Sequence, residues 1–139
     1  FAELGLFARV MACTAVYEFG FEHAPETVQQ VLEKSRVRFV DVHNYLVLEL
    51  PDGDMIVDAT WSLMSKVFGT IVNEQFTLGE SQAIACEPIQ TWIVPENGDP
   101  QAFKDDLLRT NFTEEELSHR DEIIKVINQY FQESVNLQP

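Results

Sequence analysis

The order of apolar and polar positions divides the chain into a strand-rich first half and a helical end. From Leu6 to Phe19, "LFARVMACTAVYEF" is apolar on both alternating faces and rich in strand formers, which predicts a buried central strand. Pro25 stands at a first helical position, and Val28, Val31 and Leu32 make one stripe of a helix that reaches Lys34. "VRFVDVHNYLVLEL", residues 37–50, and "DMIVDATW", residues 54–61, are the next two strands. Between them Pro51, Asp52 and Gly53 make the strongest turn signal in the sequence. Residues 62–95 are ambiguous: "KVFGTIVNEQFTLGES" has no clear period, and "AIACEPIQTWIVP" has short strand-like runs interrupted by Pro88. "ENGDP" is a loop, and a short helix follows over Gln101 to Arg109.

The final helix, about 114–132, carries the clearest signals. Thr113 with Glu116 makes a capping box, and Phe112 against Leu117 makes a hydrophobic staple. Leu117, Ile123, Ile124, Ile127, Tyr130 and Phe131 supply its buried face. Without repeats or a linker, the pattern predicts one α+β domain over residues 1–139, an antiparallel sheet with packed helices.

Composition narrows the class of function. The 139 residues are 45% hydrophobic and 11% aromatic, as expected of a folded globule. No uncharged stretch approaches the length of a membrane span. The formal charge of −14 repels phosphate backbones and anionic lipid, which argues against nucleic acid or a membrane as partner. Cys13 and Cys86 lack metal-like spacing and sit in apolar runs, so they read as free thiols in a reducing, cytoplasmic compartment, with a single disulfide as the alternative.

Two polar residues stand out inside the apolar strands, His43 and Asp58. Any register that places an odd-numbered residue of one hairpin strand opposite an even-numbered one of the other puts them on one face. Pairing Pro51 with Asp54 around a two-residue turn sets Asp58 opposite Val47, roughly 13 Å along the strand from His43. Direct opposition needs a wider loop, about Leu48 to Gly53, or a bulge. A carboxylate bonded to one imidazole nitrogen fixes the tautomer and leaves the other nitrogen to take a proton from a nucleophile. A buried pair of this kind is more often a simply satisfied structural contact.

Other candidates are weaker. His23 beside Glu22 has no second His or Cys at ligand spacing and reads as a loop histidine. His119, among Glu115, Glu116 and Glu122, reads as helical charge pairing, and Glu114 to Glu116 complement a helix N-terminus. Asn111-Phe112-Thr113 fits a glycosylation sequon, but the capping box accounts for Thr113. Tyr45, Trp61 and Trp92 could line an acyl pocket or simply fill the core. Cys13, mid-strand between Met11 and Ala15 on its own face, and Cys86 beside Pro88 both read as inert core thiols. No metal site, cofactor motif or Gly-rich phosphate loop is found.

The order "LG-L-x-ARV", a strand opened by His43-Asn44-Tyr45, and a strand ending Val57-Asp58-Ala59-Thr60 before Trp61 resembles the core of the transglutaminase-like family of papain-type cysteine enzymes. The resemblance covers roughly 4–61, with residues 62–139 as an extension. It implies acyl transfer or amide hydrolysis of a peptide or amide substrate through a thioester, with His43 as general base, Asp58 as its orienter and no cofactor. The family's nucleophile sits on a helix preceding the "LG-L-x-ARV" motif. "FAELG" reads as the last turn of such a helix, with Gly5 as its stop, so the cysteine helix is expected upstream of Phe1. The residues at hand would then be inactive by themselves. An apolar bed near Leu4, Leu6 and the first strand would stay exposed, to be covered in a homodimer by a second copy, by exchanged Phe1 to Leu4, or by the chain's own C-terminal segment. The rival readings are a non-catalytic binding or interaction domain that keeps the fold, and an enzyme using His43 and Asp58 with a metal or water.

Overall fold

The structure, a computed structural model, describes residues 3, 5–17, 25–34 and 39–136. The elements run β1 (Phe7–Val16), α1 (Glu26–Lys34), β2 (Val40–Leu50), β3 (Gly53–Val57), a 3-10 helix (Leu63–Phe68), β4 (Pro88–Ile93), α2 (Pro100–Asn111) and α3 (Glu114–Asn136). The four strands form an antiparallel sheet in the order β3-β2-β1-β4, and the fold is α+β. His23, Glu22 and Leu4 lie outside the described residues, as do the last positions of the expected first strand.

β1 is apolar on both faces because it is an inner strand, with β2 on one edge and β4 on the other. Its burial is uneven. β2 pairs along Phe7 to Val16, whereas the β4 ladder covers only Met11 to Ala15. Ala12, Cys13 and Ala15 are consequently sealed, while Phe7 remains 55% exposed. β4 begins at Pro88, the residue expected to interrupt it. A proline lacks the ladder's N–H, and it is tolerated here as the first residue of an edge strand.

The hairpin keeps a two-residue turn, against the expectation of a wider loop or bulge. Its turn residues are Pro51 and Asp52, with Leu50 opposite Gly53 and Glu49 opposite Asp54. This alignment sets Met55 opposite Leu48, and both are fully buried. Gly53 accepts the required φ of 130°, a conformation that side chains resist. Arg9, reaching from β1 to Glu49 (2.8 Å) and to Asp54, straps the three strands in this register.

Helices cover one side of the sheet. Leu107 and Leu108 of α2 pack with Ala12, Val42 and Val94, joined by Trp92, Phe103, Phe112 and Leu117. Asp99 caps α2 by accepting the amides of Gln101 (2.8 Å) and Ala102 (3.3 Å), with Pro100 at the first helical position. Thr113 and Glu116 exchange the two bonds of a capping box at the start of α3. Ile123 and Ile127 of α3 then pack with Val28 of α1, Phe39 and Phe68. His119 falls on that same i, i+4 stripe, so it is buried, where the sequence reading accounts for it by helical charge pairing. Among the described residues no helix is long and apolar enough to cross a membrane.

The opposite side of the sheet is covered by irregular chain. Cys13, Ala15, Tyr45 and Val47 meet Cys86 there, with Met11, Ile56 and Ile84 at the margin. His43 and Asp58 belong to this side.

Candidate active site

His43 lies opposite Cys13 across the β1–β2 pairing. Asp58 follows β3 directly, one step past the last pair, Leu46–Val57, which brings it level with Tyr45. The two side chains therefore meet diagonally, two residues out of register and on one face. Diagonal neighbours lie about 7–8 Å apart at the backbone, a gap that an imidazole spans. His43 Nε2 and Asp58 Oδ2 are 2.6 Å apart, with His43 4% and Asp58 3% exposed. The ring of Tyr45 stacks at 6.2 Å from that of His43 and 15° from parallel.

The carboxylate of Asp58 has all four acceptor positions filled. Oδ2 accepts from His43 Nε2 and from the Ala85 amide at 2.7 Å. Oδ1 accepts from the Thr60 amide at 3.1 Å and the Thr60 hydroxyl at 2.7 Å, the local turn that an Asp-x-Thr spacing favours. Burial works to raise this carboxyl, but the bonds from His43, Ala85 and Thr60 outweigh it and hold it below the usual carboxylate range. An ionised carboxylate only accepts, so Nε2 must carry the hydrogen. In the neutral imidazole the lone pair then sits on Nδ1, which has no hydrogen-bond partner among the described residues.

The segment 73–85 holds Asp58 in place, and the sequence reading assigned it no role. β3 is an edge strand, and its outer groups need partners. Ile56 donates its amide to the Ser81 hydroxyl (3.0 Å) and accepts from the Gln82 amide (3.0 Å). The Gln82 side chain accepts the Asp58 amide at 2.8 Å. Asn73 donates to the carbonyls of Asp58 (2.8 Å) and Ala83 (2.7 Å) and accepts the Ala83 amide (3.1 Å). The density of amide and hydroxyl side chains in "NEQFTLGESQ" is the one signal of this role the sequence carries.

The remaining candidates scatter. Trp92 lies with α2 on the far side of the sheet and does not line this site. Trp61 meets Tyr17 edge-on at 6.3 Å, and its indole N–H is buried without a hydrogen-bond partner among the described residues. Cys13 and Cys86 are free thiols, both buried, with their sulfurs 3.7 Å apart. Neither begins a helix, the setting that favours a thiolate nucleophile. The arrangement thus supplies an oriented imidazole and its anion. No family model, curated protein or solved structure matches this chain.

Proposed function

We propose that residues 1–139 carry the base-and-orienter half of a transglutaminase-like site acting on a peptide or amide substrate. In this reading His43 takes the proton of an attacking thiol at Nδ1, and Asp58 fixes the ring and stabilises the imidazolium that forms. The thiol attacks an acyl carbonyl, a thioester forms, and water or an amine releases the acyl group. The observation that carries the reading is the fully bonded Asp58 carboxylate gripping Nε2, which leaves Nδ1 for proton transfer. The nucleophile is proposed to lie outside these residues, because Cys13 and Cys86 contact each other and neither begins a helix. Phe7 and Ile93, 55% and 62% exposed, fall on the His43 side by their register, so this apolar margin suits a covering helix or a second copy. A reducing, cytoplasmic setting accords with two free thiols.

The test is an assay of the complete gene product for ammonia release from a glutamine peptide and for amine incorporation into it. His43→Ala is expected to lower turnover by about 10^3-fold or more while the protein stays folded. Unchanged turnover in that variant rules the reading out. The second reading is a binding domain that keeps the fold without the chemistry. It is favoured by the near-complete burial of His43, and a complete gene product inert in both assays would select it.

A further inference from the structure

Cys13 and Cys86, 73 positions apart in sequence, meet inside the protein on the face that carries His43. We propose that they form a redox-active dithiol that small-molecule disulfides oxidise to an intramolecular disulfide, with Cys86 attacking and Cys13 resolving. The inference is independent of the acyl-transfer reading, since neither thiol serves as its nucleophile.

Geometry sets both the pairing and the order. The sulfurs are 3.7 Å apart and need to approach to about 2.05 Å, a closure of roughly 1.6 Å. Cys13 is fixed mid-strand, paired with His43 on one side and Thr91 on the other. Cys86 lies in the bend before β4, outside the ladder, so the motion belongs to it. Access divides the same way. Cys86, 7% exposed, lines a pocket of about 490 Å³ with Tyr17, Gly69, Thr70, Ile71 and Pro88, whereas Cys13 is fully sealed. Acidity agrees. The hydrogen bond from Cys13 lowers Cys86 despite its burial, with His43 and Tyr17 assisting, while that same contact and burial raise Cys13.

The exchange balances without a further reagent. The Cys86 thiolate attacks one sulfur of the small disulfide, a mixed disulfide forms, the reagent's S–S bond breaks, and one thiolate leaves to take up the proton that Cys86 released. Cys13 then passes its proton to the second departing sulfur as it attacks Cys86 Sγ. Two protein thiols are oxidised and one small disulfide is reduced to two thiols. The product ties β1, opposite His43, to the residue that follows Ala85, whose amide holds Asp58.

The experiment exposes the reduced chain to cystamine, a small cationic disulfide suited to a protein of charge −14, then quenches in acid and alkylates. Non-reducing peptide mapping is expected to show a monomer about 2 Da lighter, with the Cys13 and Cys86 peptides joined and both thiols protected. Early time points of the unaltered chain should carry the transient cysteamine adduct on Cys86, and Cys13→Ala should accumulate it there. Reducing the oxidised chain restores both thiols, and oxidation raises the melting temperature by about 5–15 °C. Two alkylatable thiols after prolonged exposure, links only between chains, or a first adduct on Cys13 would each overturn the proposal.

Discussion

Ala85 donates its backbone N–H to Asp58 Oδ2 over 2.7 Å, from 27 positions further along the chain. That bond makes an irregular segment part of the candidate site. It also gives Asp58 a donor besides His43 on the same oxygen, so the carboxylate stays oriented whichever protonation state the imidazole takes.

Replacing Asp58 by Asn keeps the side chain's size and removes its charge. The amide nitrogen donates and cannot accept: turned toward His43 it drives the imidazole to the other tautomer and leaves the Ala85 N–H without an acceptor, and turned toward Thr60 it leaves the Thr60 N–H without one. Turnover of the complete gene product is expected to drop by about 10^4-fold with the fold retained. Nitrogen NMR of the imidazole should report the hydrogen moving from Nε2 to Nδ1. An unchanged tautomer would remove the positioning role.

The pH dependence of stability follows from the same carboxylate. Its folded value lies below the ordinary 3.8, so its contribution is complete above that pH and is lost as pH falls through the folded value. Denaturant midpoints measured between pH 7 and pH 2 should decline at the acid end by less in Asp58→Asn than in the unaltered chain. Thr60→Val, which removes the 2.7 Å hydroxyl bond, should move the Asp58 titration upward in carbonyl-carbon NMR.

Asn73 makes three bonds to backbone groups of Asp58 and Ala83. Asn73→Ala is expected to cost about 1–2 kcal/mol in denaturant unfolding, because the part-buried Asp58 carbonyl loses its partner while the exposed Ala83 groups turn to water. Hydrogen exchange at the Ala83 and Ala85 amides should accelerate in that variant, while exchange at β1 stays slow.

Phe68 is fully buried, edge-on to Tyr130 at 5.4 Å and to Phe131 at 5.7 Å. Truncation to Ala should destabilise by about 3–5 kcal/mol, read from chemical denaturation. A loss below about 1 kcal/mol would mean that α3 and the 3-10 helix pack less closely than their ring contacts imply.

What the sequence made legible was what local physics controls. The capping box of Thr113 and Glu116, the run of β1 and the turn at Pro51 all depend on neighbours within a few residues. The shared face of His43 and Asp58 was legible too, since every register that pairs an odd-numbered with an even-numbered position gives it, the observed Leu50–Gly53 pairing included. The register was not, because it depends on Met55 and Leu48 being buried together and on Arg9 arriving from another strand. His119 was misread because charge near it in sequence said nothing of the stripe it shares with Ile123. The holding of Asp58 by residues 73–85 had no period to display, since side chains bonded to distant backbone produce none.

The order of pairing in the sheet has a kinetic consequence. β2 and β3 join through a two-residue turn, whereas the second edge of β1 must wait for β4, whose Ile93 closes on Met11 only after a long intervening loop is drawn in. The histidine–aspartate contact can form with the early hairpin, but the Ala85 amide and the second thiol come only with the last strand. Refolding followed by pulsed hydrogen exchange should protect Leu46 and Leu48 before Ala85. A chain stalled between those stages would expose the β4 edge of β1, with Cys13 and Ala15 beside it, to pairing with other copies.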